Sequence, residues 1–150
     1  MGVNASADLQ KGLTAHKSGD YATALREWTP LAKQGYPVAQ YNLGLMYDKG
    51  DGVPQDYKTA VKWYRLAAEQ GHVFAQFSLG VIFSGGGREG YEGVPVNYET
   101  AVKWYELAAK QGDVNAQVYL GGMYERGQGV TQNYETARKL YKLATENGDD

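Results

Sequence analysis

The stretch AVKWYRLAAEQG at residues 60–71 returns at 101–112 as AVKWYELAAKQG, 41 positions later and changed at two of its twelve letters. A wider alignment finds three copies, 35–70, 71–111 and 112–147, of 36, 41 and 36 residues. Each reads G-x-x-x-AQ, then LG, then a Gly-rich turn ending near Val, then Tyr and an Ala-rich aromatic segment. A fixed period of roughly 20 to 50 residues marks units that cannot cover their own apolar face and must stack on neighbours. Repetition is therefore a packing requirement, and it narrows the chain to repeat architectures.

Within a copy, Ala60, Trp63, Tyr64, Ala67 and Ala68 fall at offsets 0, 3, 4, 7 and 8, which places them on one stripe of a helix. Asp56, Asn97 and Asn133 precede this helix and suit its N-cap. The capping box is incomplete, because Thr rather than Glu or Gln follows three positions on. Gly71, Gly112 and Gly148 are expected to close the helix in a left-handed conformation. Upstream, Ala39, Leu43 and Tyr47 recur at steps of four beside Gly44, where a neighbouring helix must come close. Pro37 fits the first turn there. Each copy thus predicts an antiparallel helical hairpin. Residues 6–34 carry the same marks in weaker form, with Gly12, the run GDY at 19–21, Ala24, Trp28 and Leu31. The expectation is one repeat domain over 1–150 with units 6–34, 35–70, 71–111 and 112–147. Its helices are placed near 6–18, 21–33, 37–48, 57–70, 73–84, 98–111, 114–126 and 134–147.

The pattern AQxxLGxMYxxGxGVxxDYxxAxxWYxxAAxQG, read from 39 to 71, resembles the Sel1-like repeat, and residues 6–34 resemble the related tetratricopeptide repeat. The resemblance covers almost the whole chain. It implies an all-α fold, a right-handed α-solenoid of antiparallel helix hairpins with about eight helices, and an adaptor that holds other proteins. Relatives work in protein degradation at the endoplasmic reticulum and in bacterial signalling and host contact. Some secreted relatives are cysteine-rich, and this chain has no cysteine. The last copy reads ARKLYKLATENG, so Arg138, Leu140 and Thr145 stand where the second copy has Val61, Trp63 and Ala68. That more polar face reads as a terminal cap, with truncation of a longer array as the competing reading.

Composition removes other options. Fifteen Lys and Arg against 17 Asp and Glu leave a net charge of -2 with no basic block, so no footprint for nucleic acid or anionic lipid exists. No run of about 18 apolar residues suggests membrane insertion. Without cysteine there is no disulfide framework, thiolate metal site or cysteine nucleophile. Ala5-Ser6-Ala7 resembles the small-residue end of a cleaved secretory signal, which would make Met1 and Gly2 extraneous and the compartment periplasmic or extracellular. An ordinary N-terminus in a cytoplasmic protein fits the same letters.

Chemistry finds little purchase. GGGREG at 85–90 fits G-x-G-x-x-G, but a dinucleotide fingerprint needs a strand before it and a helix opening at its end. A count explains it better: Leu79 to Val94 spans 15 positions where Leu43 to Val53 spans 10, so five residues were added to a turn. Such a loop, expected to be mobile, offers Arg88 and Tyr91 for an accessory contact. His16 and His72 share no ligand spacing with acidic residues, and Ser6, Ser18, Ser78 and Ser84 sit in no nucleophile motif. No catalytic residue, metal ligand or cofactor site is predicted, and hydrolysis of wall fragments lacks its carboxylate pair. Tyr47, Tyr64, Tyr105, Tyr124, Tyr141, Trp28, Trp63 and Trp104 are expected on the buried stripe.

By resemblance to tetratricopeptide repeats, the concave side is lined by first-helix residues three before and one after the helix glycine. Applied to Gly12, Gly44, Gly80 and Gly121, this offset selects Leu9, Tyr41, Phe77 and Val118, then Leu13, Leu45, Val81 and Gly122. Rows six before and four after add Ser6, Val38, Phe74 and Asn115, then His16, Asp48, Ser84 and Glu125. The expected partner-binding residues are Leu9, Leu13, His16, Tyr41, Leu45, Asp48, Phe74, Phe77, Val81 and Val118. They would take an extended peptide or amphipathic helix of another protein, with Tyr41, Phe74 and Phe77 as anchors. The competing readings are that these rows pack the helices on one another, or that the chain assembles with copies of itself.

Overall fold

A computed structural model describes residues 4–87 and 89–148. Among them the fold is all-α, with eight α-helices in chain order: α1 (Ala5–Lys17), α2 (Tyr21–Lys33), α3 (Pro37–Lys49), α4 (Tyr57–Glu69), α5 (Val73–Phe83), α6 (Tyr98–Lys110), α7 (Val114–Arg126) and α8 (Tyr134–Gly148). The chain divides into two compact units, Met1–His72 with α1 to α4 and Val73–Asp150 with α5 to α8. Each helix packs on the next within its unit.

The expected cap residues act as predicted. Asp56 accepts from the N–H groups of Lys58 and Thr59, and Asn97 and Asn133 accept from Thr100 and Thr136. Thr59 does not replace the missing glutamate, since its hydroxyl donates to Asp56 Oδ2 at 2.8 Å while the Asp56 N–H donates to the Tyr47 carbonyl. That hydroxyl and the Thr59 N–H hold the Asp56 carboxyl below the ordinary aspartate value. At the far ends Gly71 and Gly112 adopt φ of 92° and 91°, which residues with a Cβ rarely adopt. Gly148 differs from expectation: it is the last residue of α8 rather than a left-handed stop.

Small residues let the helices approach, and one ring per hairpin fills the gap. In the first unit, Ala24, Trp28, Leu31, Ala39, Leu43 and Met46 form a buried core. In the second, Ala101, Tyr105, Ala108, Ala116, Leu120 and Met123 do the same. Fully burying a side chain such as Leu43 or Met46 stabilises by about 2 kcal/mol. Trp63 and Trp104, expected on the buried stripe, are only half-buried, as are Tyr47, Tyr124 and Tyr141. The stripe is centred one residue further on, at Tyr64 (0 % exposed) and Tyr105 (1 %).

The repeated Ala-Gln pair has its reason in buried amide bonds. Gln40, Gln76 and Gln117 are buried. Gln40 Nε2 donates to the Ala32 carbonyl and its Oε1 accepts from Gln70, so one side chain ties α2, α3 and the end of α4 together. Gln117 does likewise with the Ala109 carbonyl and Asn147. An unpartnered buried amide would cost about 1 to 3 kcal/mol, so both ends must find partners.

The inserted segment folds on itself. Gly85–Gly87 form a 3-10 turn, Tyr91 and Val94 make an isolated antiparallel bridge, and Val94 is buried. Arg88, offered above as an accessory contact, lies outside the described residues, as do Met1 and Gly2.

Candidate protein-binding faces

In every hairpin an aromatic ring from the second helix lies against the glycine of the first. A Cβ on Gly12 would collide with Trp28, on Gly44 with Tyr64, on Gly80 with Tyr105 and on Gly121 with Tyr141. The residue four positions after each glycine engages that ring. Tyr64 Oη donates to Asp48 Oδ2 at 2.8 Å, and Tyr141 Oη donates to Glu125 Oε2 at 2.7 Å. Tyr105 Oη and Ser84 Oγ lie 3.2 Å apart, while the His16 ring stands 5.7 Å from that of Trp28. Burial pushes the Tyr105 phenol up to about 12. For Tyr141, burial first and then the Glu125 carboxylate raise it too.

On the first unit, Leu9 and Leu13 of α1 are half-buried against the core. Tyr41 and Leu45 of α3 are half-buried as well, and Val38 is exposed. The Tyr41 ring stacks on His72 at 4.6 Å and meets Tyr64 at 5.6 Å. Burial holds the His72 imidazole below its ordinary pKa. His16 lies 3.2 Å from Asp51, a pairing across 35 positions that no local spacing announces. On the second unit, Phe77 and Val81 of α5 pack in part against the core, whereas Phe74 and Val118 project from it at 57 % and 44 % exposure. Phe77, Tyr105 and Tyr119 form a triangle with ring centroids 5.5 to 5.9 Å apart.

The Sel1 repeat profile matches residues 37–72, 73–113 and 114–149. The chain belongs to the Sel1 repeat family. Repeats of this family typically serve as scaffolds for protein–protein interaction, and the family is generally non-catalytic. The matched spans have the lengths read from the sequence, each starting two residues later, at a first helix. Among solved structures, the chain is similar to c5321, a protective antigen present in uropathogenic Escherichia coli strains and displaying an SLR fold. That likeness has 41 % identity and a TM-score of 0.87 over 97 % of this chain and 31 % of the other. It is also similar to a Sel1 repeat protein from Oxalobacter formigenes, at 35 % identity and a TM-score of 0.87, over 97 % of this chain and 60 % of that one. The chain therefore spans less than two thirds of either relative. No curated protein matches it. The solenoid class expected from the sequence is the class of these Sel1 relatives.

Two features of the faces escaped sequence reading. Tyr119, 51 % exposed, falls between the rows chosen by offset. Its column holds Gln10, Asn42 and Ser78 in the other units, so a lone aromatic there was the signal. Gly122, placed in the row of Leu13, Leu45 and Val81, makes room for a charged side chain from the next turn. Among the described residues no group of three or more His, Cys, Asp or Glu could hold a metal ion, and no helix is long and apolar enough to cross a membrane.

Proposed function

We propose that the first-helix faces of this Sel1 repeat chain bind an extended peptide or amphipathic helix of a partner protein. Phe74 carries this reading: a large aromatic side chain, 57 % exposed, on the first turn of a first helix in a family of protein-binding repeats. Val38, Val118 and Tyr119 add exposed apolar surface on first helices. Half-buried ground is supplied by Leu9, Leu13, Tyr41 and Leu45 in the first unit and by Phe77 and Val81 in the second. His16 and Asp48 form the polar margin, each already engaged by a ring of its own hairpin. Desolvating such rings is what dominates interface energies.

The same reading counts residues 6–34 as the first of four units, because Trp28 rests on Gly12 as Tyr64 rests on Gly44. Affinity capture from the native cell identifies the partner, and titration with Phe74→Ser and Tyr41→Ala then locates it. Phe74 is exposed, so its replacement leaves the fold intact, and a loss of about tenfold or more in affinity is expected for an anchor. Unchanged affinity in both folded variants would remove these faces from consideration. Self-assembly is the second reading, favoured by Leu66, Leu107 and Leu143, all exposed on second helices. Light scattering over a concentration series separates the two.

A further inference from the structure

The residues that lengthen the α5–α6 connection also wall a cavity. It measures about 430 Å3, lies wholly within the second unit, and is lined by Ser84, Gly86, Gly87, Tyr105, Tyr119 and Arg126 among others. The exposed ring of Tyr119 lines it and stacks on the buried ring of Tyr105, with centroids 5.8 Å apart and planes 13° from parallel. Ser84 Oγ and Tyr105 Oη stand together at one side. Ser84 Oγ donates to the Val81 carbonyl at 3.0 Å, so the Tyr105 hydroxyl donates its own proton to Ser84 Oγ.

Arg126 supplies the charge. Its Nε donates to Gln128 Oε1 at 2.9 Å. The guanidinium folds back over Gly122, where an added Cβ would lie 3.0 Å from Nη1 and 3.2 Å from Nη2. The other hairpins hold Leu13, Leu45 and Val81 at this position, and such a side chain would occupy the guanidinium's place. Among the described residues no carboxylate pairs with Arg126, and its neighbour Glu125 accepts from Tyr141 through Oε2. A guanidinium without a carboxylate, beside the exposed ring of Tyr119, matches a small anion on an apolar stem. A chain of net charge -2 has no general attraction for acidic peptides, so a preference rests on local charge such as that of Arg126.

We propose that this cavity binds a carboxylate carried by a partner peptide, with Arg126 taking the anion and the exposed Tyr119 ring taking its stem. The carboxylate comes from an acidic side chain or from a peptide C-terminus. The inference rests on the peptide-binding reading above and assigns that reading a charge preference.

The test is an NMR titration of the full chain with three probes: acetyl-Leu-Glu-Leu-amide, acetyl-Leu-Gln-Leu-amide and acetyl-Leu-Ala-Leu with a free C-terminus. The Arg126 Nε–Hε signal and the Tyr105 and Tyr119 ring signals are followed. At least one carboxylate probe should move these signals and bind about tenfold more tightly than the neutral one. The Glu probe alone identifies a side chain as the source, the free terminus alone identifies a chain end, and both together identify a carboxylate of either origin. Arg126→Gln should erase the preference. Gly122→Leu, which displaces the guanidinium and leaves its charge in the chain, should erase it too. Equal binding of charged and neutral probes, or a preference that survives Arg126→Gln, overturns the proposal. Shifts confined to Tyr41 and Phe77 would strike the cavity and leave the peptide-binding faces standing, whereas no shift anywhere would strike both.

Discussion

The α3–α4 and α5–α6 hairpins share the same interior and differ in their turns. In the first, Tyr64 lies on Gly44 and the helices are joined by the short run 50–56; in the second, Tyr105 lies on Gly80 and the helices are joined by the longer run 84–97, which holds the five-residue insertion. Both hairpins nevertheless close on one bond in one register. The Asp56 N–H donates to the Tyr47 carbonyl at 2.9 Å and the Asn97 N–H to the Phe83 carbonyl at 2.8 Å, each carbonyl three residues past the helix glycine. The α7–α8 hairpin repeats it with Asn133 and Tyr124. Helix register is thus set by the ring on its glycine and by this one bond, and the turn is free to vary. What the longer turn changes is the surface, since only there do Gly86 and Gly87 wall a cavity.

The largest effect should come from removing the ring. Tyr64→Ala and Tyr105→Ala should each cost about 3 to 5 kcal/mol by analogy with buried aromatic truncations, lowering the thermal midpoint by more than about 6 °C. Trp63→Ala and Trp104→Ala, half-buried beside them, should cost about half as much. Equal losses in a melting series would mean that the stripe is centred on tryptophan after all.

Placing a methyl group under the ring sharpens the comparison. Gly44→Ala and Gly80→Ala should destabilise by about 1 to 3 kcal/mol, even though Ala favours helix by about 1 kcal/mol. Urea midpoints should fall alike in both variants; a clear inequality would show that turn length does reach the interior.

Alkaline pH tests the burial of Tyr105. Tyr105 has a folded pKa raised from 10.0 to about 12, so the folded state holds its proton where the unfolded chain gives it up. That stability is complete below pH 10 and is lost as pH rises through 12, a difference of about 3 kcal/mol. Denaturation followed from pH 9 to 12 should show the loss, and Tyr105→Phe should remove it.

The smallest effect is predicted for the turn. Deleting residues 86–90 should change stability by less than about 1 kcal/mol, since closure entropy grows slowly with loop length. The same deletion should abolish any carboxylate preference. A large loss of stability would show that the insertion supports the hairpin rather than decorating it.

The helices were legible because each is a local event: an Asp or Asn that caps, a stripe at helical spacing, a glycine where the next helix arrives. The same letters recurring three times turned weak signals into strong ones. The centring of the stripe on Tyr64 rather than Trp63 was not legible, because both residues lie within one helical arc and only the neighbour's position chooses between them. Nor was the partner of Thr59, or the pairing of His16 with Asp51, since a side chain's bond across space leaves no spacing in the chain.

By itself the sequence determined the hairpin repeat, its length, its caps and its class, because backbone geometry and burial impose a period that reads directly in the letters. Tertiary structure alone decided which side chains the hairpins consume and which they leave outside. Asp48 and Glu125 are taken by tyrosine hydroxyls, while Phe74, Tyr119 and Arg126 are left at the surface. The physical reason is that exposure depends on distances between segments far apart in the chain, and those are fixed only when the rings settle on their glycines.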